Sequence, residues 1–170
     1  VVVTDTMSDD EVSRKVDAAD KLEYERVGLM LRPNFVAVKC KSGDPAKFKA
    51  LVGKVMGMTS QNLIIMSDNM DALKAGATAA KDRKPLLYAA TKGNVDAAGE
   101  LAKETACPLA VKGASLDEVA GLTEKLTKAG LKDLLIDSGA RDIKTLLRDQ
   151  VAIRRLALEK KFAALGFPTI

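Results

Sequence analysis

Five short apolar runs recur along the middle of the sequence, and their spacing restricts the possible folds more than any other feature. Most of the runs are apolar on both faces, which is typical of strands in a parallel sheet that helices cover. The runs are NFVAVKC (34–40), NLIIMS (62–67), PLLYAAT (85–91), CPLAVKG (107–113) and DLLIDSG (133–139). We therefore predict parallel strands near residues 35–40, 62–66, 86–90, 108–111 and 133–137.

Amphipathic segments with helix start and stop signals separate these runs. Asp44 is suited to an N-cap, and Pro45 follows it at the first helical position, where a missing N–H costs nothing. The Ser-x-x-Glu pattern of a capping box occurs at Ser8–Glu11 and at Ser115–Glu118, and Gly130 is placed to end the latter helix. The chain is thus a series of βα units without a shared residue motif.

Two α/β folds fit this alternation. An open doubly wound parallel sheet of about five strands suits a chain of this length, whereas a (β/α)8 barrel needs roughly 250 residues. The tail favours the barrel, because a helical pattern over 142–165 is followed by a stop at Gly166 and a strand start at 169–170. We predict that residues 1–170 form one partial TIM barrel of about five to six βα units. The open sheet is the alternative, and the last strand is expected to find its partner outside this sequence.

The composition argues against several classes of function. Lys and Arg total 27 against 23 for Asp and Glu, a scattered net charge of +4, and aromatic residues make up 4% with no Trp. Neither a basic patch nor a base-stacking platform for nucleic acid is indicated. No apolar run approaches the roughly 20 residues that span a bilayer. Histidine is absent, and Cys40 and Cys107 form no CxxC pattern, so we interpret both as buried residues of a cytoplasmic protein.

Polar side chains follow the predicted strands, where α/β proteins place their functional groups. They are Ser67, Asp68, Thr91, Asn94, Lys112, Ser115, Asp137, Ser138 and Arg141. They form no recognisable catalytic set, because Asp137 has no histidine to orient and no carboxylate at a fixed spacing. These groups could hold a small anionic or heterocyclic ligand, or they are caps and turns, which we favour. We assign no catalytic, cofactor-binding or metal-binding residue.

The segment 142–165 has a broader apolar surface than a one-sided helix needs. One stripe consists of Ile143, Leu147, Val151, Leu158, Phe162 and Leu165, and Leu146, Ile153, Leu156 and Ala157 widen it. Two interpretations remain open: a kinked helix or two short helices against the barrel, or a helix that another domain or subunit covers on a second side. Four basic residues lie in the same segment: Arg154, Arg155, Lys160 and Lys161. We interpret them as a solvated helix face rather than a docking site.

Four stretches resemble a known family in their order and spacing. They are DRKPLLYAAT (82–91), ACPLAVKG (106–113), LLIDSGARD (134–142) and QVAIRRLALEKKFAALGFPTI (150–170), with a looser match over 25–52. They are similar to the large (gamma) subunit of the corrinoid iron-sulfur protein of the carbon monoxide dehydrogenase/acetyl-CoA synthase system in anaerobes. Ser138 departs from the proline that this family typically has there, which we expect to loosen one turn only.

The resemblance implies a role for the segment. The family's large subunit joins an N-terminal 4Fe-4S domain, a central (β/α)8 barrel and a C-terminal corrinoid-binding domain, and this sequence corresponds to the barrel alone. The full-length carrier moves a methyl group from methyltetrahydrofolate or methyl-tetrahydropterin to acetyl-CoA synthase, in the Wood-Ljungdahl pathway of carbon fixation. Cys40 and Cys107 do not match the cluster cysteines, so the segment is expected to hold no cofactor and to act as a scaffold.

The resemblance also implies partners. They are the small subunit of the corrinoid iron-sulfur protein, in a heterodimer, and transiently the methyltransferase and acetyl-CoA synthase; no nucleic acid or membrane is expected. Whether the segment counts as part of a methyltransferase-type enzyme stays open. Two rival hypotheses also remain, a stand-alone α/β enzyme with a small-molecule site at 137–141 and an open-sheet binding module without chemistry.

Overall fold

The computed structural model describes all 170 residues, which divide into two compact units, Val1–Leu87 and Tyr88–Ile170. The first unit contains β1 (Val2–Thr4), α1 (Asp9–Lys21), β2 (Tyr24–Arg26), β3 (Leu29–Leu31), β4 (Phe35–Lys39), α2 (Pro45–Met58), β5 (Asn62–Met66) and α3 (Met70–Ala79). The strand β6 (Leu86–Ala90) spans the division. The second unit continues with α4 (Val95–Thr105), β7 (Leu109–Lys112), α5 (Leu116–Lys128), β8 (Leu134–Asp137) and α6 (Ile143–Leu158).

Six strands form a parallel sheet in the order β1-β4-β5-β6-β7-β8. In the first unit β4 lies between β1 and β5, with Val38 opposite Ile65, and in the second unit Val111 of β7 lies opposite Ile136 of β8. The five strands predicted from the apolar runs are thus confirmed. Their order follows the chain, and the alternation of strands and helices is consistent with both predicted folds, the partial barrel and the open sheet.

The sequence analysis missed two elements of the first unit, the strand β1 and the hairpin β2–β3. β1 has only three residues and pairs in parallel with β4. In the hairpin Glu25 lies opposite Met30, and the turn residues Val27 and Gly28 both have positive φ, 52° and 74°. Such turns usually carry Asn-Gly or Asp-Gly, so Val-Gly is a weak sequence signal.

The two predicted capping boxes differ in the structure. At α1 the box is complete, since the Ser8 hydroxyl accepts from the Glu11 N–H and the Glu11 carboxylate accepts from the Ser8 N–H. At α5 it forms only in part. Ser115 accepts from the Glu118 N–H, but the Glu118 carboxylate accepts from the N–H of Ala114, at 3.4 Å.

Each unit packs helices on its strands around a core of its own. In the first unit a Cβ added at Gly76 of α3 would lie 2.7 Å from Phe48 and 2.8 Å from Ile65, so the close approach of this helix requires glycine. The other large buried side chains of this core include Val36, Val38, Leu63, Val52 and Leu73. In the second unit they include Leu101, Leu109, Val111, Val119, Leu126 and Ile136.

The helix at the end of the chain is shorter than predicted. α6 ends at Leu158, and a separate 3-10 turn follows at Ala163–Leu165. Between them Lys161 takes a left-handed φ of 51°, and the Phe162 N–H donates to the carbonyl of Leu156 at 3.0 Å. The segment is therefore interrupted, as the interpretation of a kinked or divided helix predicts.

The predicted strand start at 169–170 has a partner within the chain. The Ile136 N–H of β8 donates to the carbonyl of Pro168 at 2.7 Å, and the Ile170 N–H donates to the Ile136 carbonyl at 2.9 Å. Thr169 thereby forms a parallel bridge to β8. We expected this strand to pair only with residues outside the sequence. That expectation is wrong, because one edge of the strand pairs with β8.

The apolar stripe predicted on 142–165 lies mostly in solvent. Of its six members only Leu165 is buried, in the 3-10 turn that packs against α5 and α6. The others are exposed, and they are Ile143, Leu147, Val151, Leu158 and Phe162. Within α6 the buried side chains are Asp149 and Ile153, which are four positions apart and define the opposite face of the helix.

Candidate functional site

The most elaborate polar cluster of the second unit surrounds Asp137, the last residue of β8. Its side chain is buried, with 5% of the residue exposed. The Arg141 guanidinium donates to both carboxylate oxygens, from Nη1 to Oδ1 at 3.1 Å and from Nη2 to Oδ2 at 2.8 Å. The Tyr88 hydroxyl of β6 donates to Oδ2, and the Gly139 N–H donates to Oδ1 at 2.8 Å. The carboxylate is therefore fully engaged by its neighbours.

The electrostatics of this cluster fix its protonation state. Burial by itself raises the pKa of Asp137, but hydrogen bonds from Arg141, Tyr88 and Gly139 outweigh burial and hold the pKa below its usual value. Burial and the Asp137 carboxylate raise the pKa of Tyr88 to about 12. The hydrogen bond to Asp137 raises the pKa of Arg141 further above its ordinary value. At neutral pH the cluster thus consists of an anion, a cation and a neutral hydroxyl, none of them placed to act as a base.

The same contacts also fix the conformation of the loop after β8. Gly139 has a φ of +78°, and a Cβ there would lie 2.5 Å from the carbonyl oxygen of Gly113, so this position requires glycine. Ser138, which stands where the resembling family has proline, accepts from the Ala140 N–H at 3.4 Å. The turn is therefore held by the N–H groups of Gly139 and Ala140, which donate to the side chains of Asp137 and Ser138.

The remaining candidates of the second unit make the contacts of turns and caps. The Asn94 side chain accepts from the N–H of Thr91 at 2.7 Å and donates to the carbonyl of Ala89 at 3.2 Å. Ser115 is the N-cap of α5. Lys112 is partly exposed at the end of β7. The structure brings Asp137 and Arg141 together through two hydrogen bonds.

Tyr88 is the member of the cluster that sequence reasoning missed. It stands in the middle of the run PLLYAAT, where a tyrosine is indistinguishable from any other aromatic strand residue. The only available signal is that a half-buried tyrosine hydroxyl needs a partner. That signal identifies neither Asp137 nor Arg141 as the partner.

The first unit holds a second carboxylate cluster, around Asp5. Its oxygens accept from the N–H groups of Lys41 at 2.7 Å and Ser42 at 3.1 Å, from the Ser42 hydroxyl, and from the Cys40 thiol at 3.4 Å. Burial opposes ionisation of Asp5, but the hydrogen bonds from Ser42 and Lys41 lower its pKa. Burial and the neighbouring carboxylate raise the pKa of the Cys40 thiol, which makes it a poor nucleophile.

The other first-unit candidates, Ser67 and Asp68, also lie in a turn. The Ser67 hydroxyl accepts from the Asn69 N–H at 3.1 Å and donates to the Asn69 carbonyl at 2.9 Å. Asp68 is exposed. Asn69 in turn caps α3 by accepting from the N–H groups of Asp71 and Ala72.

Metal-binding geometry is not found among the side chains. No group of three or more His, Cys, Asp or Glu residues could hold a metal ion. Cys40 and Cys107 are both free and buried, and the Cys107 thiol donates to the carbonyl of Thr105 at 3.6 Å. None of the helices has the length and apolar character needed to cross a membrane.

A cavity of about 500 Å³ lies where the loop after β8 meets the starts of α5 and α6. Arg141 and Arg148 are its cations, and Asp149 is its buried anion. Arg148 pairs with Asp149 at 3.1 Å, as Arg141 pairs with Asp137. An anionic ligand would therefore have to compete with carboxylates that already bind both guanidinium groups.

Comparison with known proteins gives consistent matches over all or most of the chain. The sequence model of a family described as CO dehydrogenase/acetyl-CoA synthase delta subunit matches residues 1–170. The corrinoid/iron-sulfur protein large subunit of Moorella thermoacetica is 43% identical over 170 residues, which are 100% of this chain and 38% of the relative. The gamma 1 subunit of the acetyl-CoA decarbonylase/synthase complex of Methanosarcina thermophila is 37% identical over 161 residues, 92% of this chain and 34% of the relative.

A third relative extends the comparison. The gamma subunit of the acetyl-CoA decarbonylase/synthase complex of Methanopyrus kandleri is 31% identical over 176 residues, 100% of this chain and 37% of the relative. The chain thus spans less than two fifths of the length of each of these three relatives. The family description names a delta subunit, whereas the relatives are named large or gamma subunits. The pairwise identities therefore place the chain with the gamma-type members.

Proposed function

Because the chain belongs to the CO dehydrogenase/acetyl-CoA synthase delta-subunit family, we propose that it is the barrel portion of a corrinoid iron-sulfur methyl carrier. In this proposal residues 1–170 are one scaffold domain, and a 4Fe-4S domain and a corrinoid-binding domain belong to the rest of a longer protein. The strongest support is the match to proteins named as corrinoid/iron-sulfur large subunit, over the whole chain, and as a gamma subunit, over 92% of the chain.

The chemistry of the carrier would reside outside this segment. When bound, the corrinoid supplies the cobalt that carries the methyl group from a methyl-tetrahydrofolate or methyl-tetrahydropterin to acetyl-CoA synthase. A 4Fe-4S cluster takes four thiolates. The residues present do not fit it, because the chain has only two cysteines, both buried, and the Cys40 thiol donates a hydrogen bond to Asp5. With no histidine, the chain also lacks an imidazole for a cobalt ligand.

The cluster around Asp137 suits a scaffold better than a catalyst. It links β6, β8 and the loop 137–141 through hydrogen bonds to a single buried carboxylate. Such a network orders the ends of two strands, and its members keep fixed charges around neutral pH. We therefore assign it the role of holding the shape of the surface to which mobile domains attach.

The partners belong to the same proposal. The segment would pack against the small subunit of the carrier in a heterodimer, and the assembled protein would meet the methyltransferase and acetyl-CoA synthase transiently in the cytoplasm. The names of the relatives, which are subunits of a complex, support assembly in general. The exposed apolar side chains of α6 support a contact on that helix.

One observation favours the rival function, an enzyme that binds a small anion. The cavity of about 500 Å³ beside Arg141 lies next to the first turn of α5, where backbone N–H groups attract negative charge. In the scaffold proposal this cavity carries no ligand needed for methyl transfer.

The test uses the full-length protein, assembled anaerobically with its small subunit. Ala152→Leu, on α6, fills part of the cavity and leaves the residues of the Asp137 cluster unchanged in sequence, and Ala50→Leu on the exposed face of α2 is the matched control. The scaffold proposal expects normal cobalt and iron content and methyl transfer from methyl-tetrahydrofolate within about twofold of wild type for both. A loss above about tenfold in Ala152→Leu alone, at full cobalt content, would favour the rival enzyme.

A second measurement addresses the cofactors directly. Residues 1–170 alone, mixed with cobalamin or reconstituted with iron and sulfide, are expected to retain neither metal after gel filtration. Stoichiometric cobalt or iron on this segment would contradict the scaffold proposal.

A further inference from the structure

We draw no further inference here: the strongest candidate, the polar cavity where the loop after β8 meets the starts of α5 and α6, belongs to the candidate site already described, and its two arginines, Arg141 and Arg148, are already paired with Asp137 and Asp149.

Discussion

Asp5, directly after β1 in the first unit, and Asp137, at the end of β8 in the second, each hold the loop beside them through hydrogen bonds, but they do so with different partners. Asp5 receives hydrogen bonds from neutral groups, namely the backbone and hydroxyl of Ser42, the backbone of Lys41 and the thiol of Cys40. Asp137 receives two from the Arg141 guanidinium, in addition to those from Tyr88 and the backbone.

Burial explains why the two carboxylates need different partners. Asp5 is partly exposed, so water completes its solvation and neutral donors suffice to keep its pKa low. Asp137 is buried, and an ionised carboxylate there is stable only with a cation and a full set of donors. The comparison predicts that equal chemical changes cost more in the second unit than in the first.

The largest effect is expected from Arg141→Met, which leaves the Asp137 carboxylate buried without its cation. We expect the free energy of unfolding to fall by no more than about 3 kcal/mol, the low end for breaking a buried pair, because the Arg141 side chain is 61% exposed and Tyr88 and Gly139 still donate to Asp137. Pulse proteolysis in urea on the full-length protein measures the change. Lys125→Met, which breaks the exposed pair with Asp96, is the matched control and should cost less than about 1 kcal/mol. Equal losses in the two variants would contradict the comparison.

Tyr88→Phe is expected to have the next largest effect, about 2 kcal/mol, because it removes one hydrogen bond to a charged group in a half-buried place. The same urea assay applies. Tyr24→Phe, at an exposed position of the hairpin, controls for the loss of a hydroxyl and should be neutral. If Tyr88→Phe is neutral as well, the hydroxyl does not help to hold Asp137.

Asp5→Asn should cost about 1 kcal/mol at pH 7, since the amide oxygen still accepts from one or two of the neutral donors. The pKa of Asp5 is lowered in the folded state, so its contribution is present above the unfolded pKa and is lost as pH falls through the folded pKa. The difference from wild type should therefore shrink below about pH 4. Asp68→Asn, at an exposed position in the turn after β5, is the control and should not show this cost at pH 7.

The smallest effect is expected in the rate at which the Cys40 thiol is alkylated. Burial and Asp5 raise the pKa of its thiol, so alkylation by iodoacetamide at pH 8 should be slow in the wild type and several-fold faster in Asp5→Asn. Cys107, buried in the second unit, is the internal control and should react equally slowly in both proteins. Mass spectrometry of the peptides separates the two sites, and an unchanged Cys40 rate would show that Asp5 does not govern this thiol.

The sequence predicted the strands more completely than it predicted the polar clusters. The runs that contain β4 to β8 are long and bounded by turn signals, whereas β1 and the hairpin strands have three residues each, too few for a period to appear. Asp137 and Arg141 were recognised as candidates because they follow a strand. Asp5 was missed together with the strand that precedes it.

The C-terminal segment shows a different kind of error. The spacing of Ile143, Leu147 and Val151 correctly indicates one apolar side of a helix, but the same spacing is silent about which side of α6 faces the domain. In the structure Asp149 and Ile153 face inward instead. Apolar periodicity identifies the residues that share one side of a helix, but only the packing shows whether that side contacts the domain.

The sequence by itself determined the series of βα units and the caps at Ser8 and Ser115, because these depend on residues within one or two turns of each other. It also carried the family resemblance, which the comparisons confirmed. Only the tertiary structure decided the strand order, the pairing of Tyr88 with Asp137, and the exposure of the apolar stripe on α6. Those features join residues far apart in the chain, and their free energy comes from burial and contacts that no local pattern records.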